Sequence, residues 1–243
     1  MTAAAFEREL EIFSTEAESA AQFLYSYLSI HETAGNHASV HKLLNTAALF
    51  WNTNLAALQL SAFIVLGRIF DQDSKHNVDR VLRIAQDNLY IFSKDALGRR
   101  KQGLSSAPPD WLGECLATSH VPTPADFRRL RTLVKTNRKI YDKRYRAIRH
   151  SFAHKMTADA GEIQKLFANT NIRELQRLVT FMGSLYDALW ELFHNGRKPI
   201  VRQRRFSVKA MHRQPTPPRR ATKVQERITL EAAQFLRAAA KIT

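Results

Sequence analysis

The stretch Arg149-His150-Ser151-Phe152-Ala153-His154 sets a guanidinium and an imidazole five residues apart near the end of a long basic segment. A guanidinium stays charged at any accessible pH and can neutralise the charge that builds on a pentacoordinate phosphorane. An imidazole titrates near neutrality and can move protons. The pair therefore suits phosphodiester cleavage without a metal ion. His154 would take the proton of a ribose 2′-hydroxyl or give one to the leaving 5′-oxygen, and Arg149 would stabilise the developing charge. That route ends in a 2′,3′-cyclic phosphate and needs a 2′-hydroxyl, so its substrate is RNA.

Spacing alone carries little weight, because a chain with 24 Arg and 9 His contains such pairs by chance. Arg144 and His150 form a rival pair. What distinguishes Arg149 and His154 is their place at the C-terminal end of an internal helix, with a polar residue after the arginine and a small one before the histidine. Arg149 follows Tyr145 by four and precedes Phe152 by three, so it borders the buried stripe. Five residues correspond to roughly 140° around a helix turning about 100° per residue, so the two side chains do not share a face of a regular helix. They converge if the last turn loosens near Ala153 and His154, or if two copies meet across a dimer axis. Against this stands the plainer possibility that His154 and Lys155 only favour the negative end of the helix, with Arg149 in an ordinary ion pair.

Charge supports a polyanionic partner. The net charge is +15 and is concentrated: residues 128 to 155 hold eleven Lys/Arg against Asp142 alone, and residues 197 to 243 hold thirteen against Glu226 and Glu231. Arg138, Lys139, Lys143, Arg144, Arg146 and Lys155 are the candidate RNA contacts on the helix that carries the pair. Arg202, Arg204, Arg205, Arg213, Arg219 and Arg220 in the tail would add affinity through counterion release. A solvated helix face with a solubilising tail is the alternative.

The elements that must position these groups follow from periodicity. Apolar residues at three- and four-residue steps predict helices over 3 to 31, 37 to 70, from Asn77, from Thr123 to about Phe152, and from Asn171 to Asn195. The inner stripe of the fourth is Phe127, Leu130, Val134, Tyr141, Tyr145, Ile148 and Phe152. Tyr141 and Tyr145 would stack bases only if exposed. The second helix is apolar over most of its surface and is expected at the centre. Residues 93 to 122 look like an insertion covering one end. Pro199 to Pro218 reads as a linker, followed by a short helix at Thr229 to Ala240. The expected fold class is all-α: an antiparallel bundle of four to five long helices with a basic C-terminal extension, divided into a bundle at 1–196 and a tail at 197–243.

Cys115 is the only cysteine, which excludes an intrachain disulfide and a cysteine-based zinc site. His37 and His41 lie four apart on a helix with no third ligand at hand, so no metal or other cofactor is expected. Asp71 and Asp73 could cap a turn or bind a cation, and Asp71 could pair with Arg68 or a motif residue. The N-terminus is unlike a signal peptide. The longest apolar stretch, Leu55 to Leu66, is broken by Gln59 and Ser61 and followed by Arg68, so the expectation is a soluble, cytoplasmic chain.

The segment Ile148-Arg149-His150-Ser151-Phe152-Ala153-His154-Lys155 resembles the motif of the HEPN superfamily (higher eukaryotes and prokaryotes nucleotide-binding). Leu66-Gly67-Arg68-Ile69-Phe70-Asp71 resembles the second helix of its abortive-infection branch, and the likeness covers roughly residues 35 to 196. The resemblance implies a homodimeric, metal-independent endoribonuclease acting as a toxin or anti-phage defence effector, with active sites at the dimer interface and a possible antitoxin or other regulatory partner. It makes Arg149 and His154 the catalytic pair, with His150 assisting where Asn or Asp is common. Met156 stands where members controlled by a nucleotidyltransferase antitoxin often have Tyr, which implies that this control is absent. A non-catalytic nucleic-acid-binding module and a structural interaction protein are the competing functions.

Overall fold

The computed structural model describes residues 2–103, 105, 107–154, 165, 170–203, 205–213 and 223–242, with the backbone alone at 152–154. Every regular element among them is helical. Helix α1 spans Ala3–Asn36, α2 Ala38–Thr46, α3 Ala48–Phe70 and α4 Val78–Asp87. A 3₁₀ turn at Leu89–Phe92 leads to α5 at Lys94–Gln102 and α6 at Leu112–Thr118. Helices α7 and α8 cover Pro124–Arg144 and Arg146–His154, α9 covers Ile172–Asn195, α10 Val208–His212 and α11 Val224–Ala239. The chain is an all-α bundle, as expected.

Local chemistry sets several boundaries where the sequence placed them. Asn77 Oδ1 accepts from the Arg80 amide at 2.9 Å, and Asn171 Oδ1 accepts from the Arg173 amide at 2.9 Å. Thr123 and Asp126 form a capping box behind Pro124. Gly196 closes α9 at φ +58°, a left-handed conformation that favours glycine.

Elsewhere tertiary contacts overrode local signals. Helix α1 does not stop at His31 but continues to Asn36, because Ile30, Val40 and Leu236 bury its last turns and Thr33 Oγ1 donates to the Ser29 carbonyl at 2.7 Å. The expected helix over 37 to 70 is two helices, parted at Ala47 (φ −125°, ψ 53°). On one side of the break Val40 packs with Ile30 and Leu236, and on the other the second half of α3 enters the core. Only the second half of α3, Ala62 to Phe70, occupies the core; its start leaves Leu49 and Phe50 84% and 60% exposed. By length and apolarity α3 would suffice to cross a membrane, contrary to the interruption read at Gln59 and Ser61. Its buried half is a core helix against α1, α7 and α8.

The helix expected from Thr123 to Phe152 bends at Tyr145 (φ −108°, ψ −27°). The hydrogen-bond ladder runs through the bend, with Tyr145 N–H donating to Tyr141 and Arg149 N–H to Tyr145. Tyr145 is fully buried, and its hydroxyl donates to the Asn171 carbonyl at 2.8 Å, tying the bend to the start of α9. Burial raises its phenol to about 12. Phe127, Leu130, Val134, Tyr141, Tyr145 and Ile148 are all buried, so both tyrosines are core residues rather than base-stacking platforms. The Phe152 side chain lies outside the described residues.

The core is rich in aromatic contacts. Phe193 sits 5.1 Å from Phe6 and 6.0 Å from Phe92, ring to ring, and Phe70 stacks on Tyr141 at 5.7 Å. The insertion seals one end through Arg100, which donates to the Ile91 and Phe193 carbonyls at 2.7 and 2.8 Å and lies 4.1 Å over the Phe193 ring. The chain after Gly196 follows the bundle surface: Arg129 donates to the Pro199 carbonyl and Ser184 to that of Arg202. Val208 and Met211 are buried, and α11 starts at Val224 rather than Thr229 and packs Thr229, Ala233 and Leu236 along α1.

Candidate active site

The end of α3 and the bend between α7 and α8 meet at a cluster of arginines around Asp71. Asp71 caps α3, its amide donating to the Gly67 carbonyl at 2.8 Å. Its carboxylate forms an ion pair with the Arg149 guanidinium. Arg146 stands 3.9 Å from the same carboxylate and 3.7 Å from Asp142. Arg138 donates to the Phe70 carbonyl at 2.9 Å and pairs with Asp79 on α4. Cations at the C-terminus of a helix satisfy carbonyls that have no partner within it and complement its negative end. Three arginines thus converge on one helix end.

Gly67 makes this approach possible. A β-carbon there would stand 2.6 Å from Arg149 Nε and 2.8 Å from one terminal nitrogen, so the arginine side chain runs across the bare backbone of α3. Gly67 and Asp71 are one helical turn apart and share a face, so the first opens the path and the second holds the guanidinium at its end. The Arg149 side chain remains 25% exposed and that of Asp71 12%. Arg149 is therefore oriented by a carboxylate yet still open to solvent.

The sequence candidates divide as follows. Arg149 lies at the centre of the cluster. His150 is exposed on α8, and Ser151 between the motif residues is buried. The backbone of α8 stays helical through His154, so the last turn does not loosen. The His154 side chain and all of Lys155 lie outside the described residues. Lys139 and Lys143 are exposed, and the Arg146 side chain is 59% exposed, so these face solvent. Arg138 is mostly buried on Asp79, and Arg144 pairs with Glu174. These two brace α4 and α9 against α7. Of the tail cluster, Arg204, Arg219 and Arg220 lie outside the described residues.

Two features complete the site. Asp71, for which spacing allows a cap, a cation ligand or a pairing with Arg68 or a motif residue, caps α3 and pairs with the motif residue Arg149, while Arg68 pairs with Glu16 at 2.7 Å. Gly67 is the second, a role that spacing does not reveal: its lack of a side chain admits Arg149, which lies on another helix. His37 and His41 are exposed, and the His41 ring meets the Asn45 amide at 3.1 Å.

Gly67, Asp71 and Arg149 unite the two segments that carried the HEPN likeness. The model of the AbiU2 HEPN family matches residues 3–211. The chain belongs to this abortive-infection HEPN family. The match runs beyond the 35 to 196 expected and takes in α1 and nearly all of α10. No curated protein and no solved structure matches.

Proposed function

We propose that this AbiU2-type HEPN chain is a metal-independent endoribonuclease whose active site pairs Arg149 of one copy with His154 of a second. The observation that carries this is the pose of Arg149, fixed by Asp71 across Gly67 and still solvent-accessible. An unbroken helix to His154 sets the two motif residues roughly 140° apart within one copy, which favours convergence across a two-fold axis.

In the reaction, His154 removes the proton from the ribose 2′-hydroxyl. The 2′-oxygen attacks phosphorus as the bond to the 5′-oxygen breaks. A protonated His150 donates a proton to that leaving oxygen. The products are a 2′,3′-cyclic phosphate and a 5′-hydroxyl end. Arg149 neutralises the charge gathered on the equatorial oxygens, where a planar fork of N–H donors fits two of them at once. Exposed Lys139, Lys143 and Arg146 hold the flanking phosphates. The work fits a toxin or anti-phage effector acting in the cytoplasm.

Two results are expected. Mixing Arg149→Ala chains with His154→Ala chains should restore roughly a quarter of wild-type cleavage, because random pairing in a two-fold dimer leaves one intact site in each mixed dimer. Each variant alone should be inactive, and a mixture as silent as its components would place both groups in one copy. Gly67→Ala should shift the melting temperature little, since a helix gains about 1 kcal/mol from alanine over glycine and this offsets local crowding. The added methyl group displaces the Arg149 side chain, so cleavage should fall at least tenfold. Full activity in that variant would show that the Arg149 pose is dispensable.

A further inference from the structure

A cavity of about 190 Å³ opens where the C-terminal end of α1 meets α10 and α11. Its lining includes Glu32, His37, Lys209, His212, Arg213 and Arg237. It is separate from the Asp71 cluster, with which it shares no residue, and nothing in the proposed cleavage reaction uses it.

The charge balance favours an anion. Lys209, Arg213 and Arg237 form no ion pair with a carboxylate among the described residues; Arg237 Nε donates only to the Ala233 carbonyl, at 3.1 Å. Opposing them are Glu32 and the C-terminus of α1, which counts as roughly half a negative charge. The sum stays well above zero before either histidine is protonated. Glu32 also accepts from the Asn36 amide at 2.8 Å, which steadies its carboxylate.

The walls are held in place from behind. Ser29 is fully buried and gives its hydroxyl hydrogen to the Thr229 carbonyl at 2.8 Å, so at the 3.1 Å contact with His212 the imidazole Nε2 donates. That bond fixes the His212 ring at the seam of three helices. The volume is below the roughly 300–1,000 Å³ of pockets that enclose whole drug-sized ligands, and several times the ~30 Å³ of one water. It suits a single phosphate group whose remainder projects through the mouth.

The geometry points to a phosphate-binding pocket whose donors are Lys209, Arg213 and Arg237, taking the phosphate of a mononucleotide or of an RNA backbone. It stands independently of the nuclease proposal, and Arg149→Lys should leave it unchanged.

Calorimetric titration of the full chain with inorganic phosphate, AMP and a short single-stranded RNA methylated at every 2′-oxygen, which the chain cannot cut, tests it. Phosphate and AMP should compete for one site. Lys209→Gln combined with Arg213→Gln should weaken both by about tenfold or more, the loss expected when charged hydrogen-bond donors are removed. Glu32→Gln should tighten both, a gain that a damaged fold cannot mimic. If RNA alone binds, and shows the same loss and gain in these variants, the phosphate comes from the backbone. Unchanged affinity for all three ligands in both variants, or no binding of any of them to the wild type, overturns the proposal.

Discussion

Changing Arg149 to Lys should lower RNA cleavage by about 10²–10³-fold, the cost typical of losing one preorganised donor group at a developing oxyanion. The substitution keeps the positive charge and most of the aliphatic stem that crosses Gly67. It removes the planar fork, which alone can hold the Asp71 carboxylate with one edge and reach a phosphorane oxygen with another. A point charge would collapse onto Asp71. Asp71→Asn should have a smaller effect of about tenfold, because it loosens the arginine without removing it. Asp71 is thus a positioning residue, and its substitution should lower kcat with little change in KM. Cleavage by Arg149→Lys at the wild-type rate, measured on a fluorescent RNA substrate, would count against electrostatic work by Arg149.

Phe193→Ala should destabilise the fold by about 3–5 kcal/mol, the usual cost of emptying a buried phenylalanine site. Phe193 is fully buried against the mutually touching rings of Phe6 and Phe92 and carries Arg100 on its face at 4.1 Å. Truncation therefore opens a cavity and also takes the aromatic partner from a half-buried guanidinium. Typical domains are stable by only about 5–15 kcal/mol, so this is a large share. Urea denaturation should show a lower midpoint with an unchanged slope. A shift under about 1 kcal/mol would mean that the ring cluster is not the anchor between α1 and α9.

How much of this was legible from residues alone depends on whether the cause was local. The stripe from Phe127 to Ile148 and the caps at Asn77, Thr123, Asn171 and Gly196 are set by contacts within a turn or two, and they emerge directly from spacing. The bend at Tyr145 and the extension of α1 past His31 are not written in propensity. They arise from a hydroxyl reaching Asn171 and from a tail helix covering Ile30. The same division holds at the site. Arg149 could be singled out by its neighbours in sequence, whereas its partner Asp71 lies on another helix and was only one of several options. Arg138 and Arg144 looked like members of a nucleic-acid-binding face, but each has a carboxylate on a neighbouring segment. Counting cations along a helix does not reveal which ones the fold has already paired.

The most direct test of the central claim is incubation of the purified chain with RNA in excess EDTA, with chemical analysis of the new ends, alongside His154→Ala. The account predicts metal-independent cleavage that leaves 2′,3′-cyclic phosphate and 5′-hydroxyl ends, blocked by a 2′-deoxy substitution at the scissile position. It also predicts that His154→Ala folds normally and cuts nothing. Intact RNA with the wild-type chain, or equal cutting by the His154→Ala variant, would contradict it.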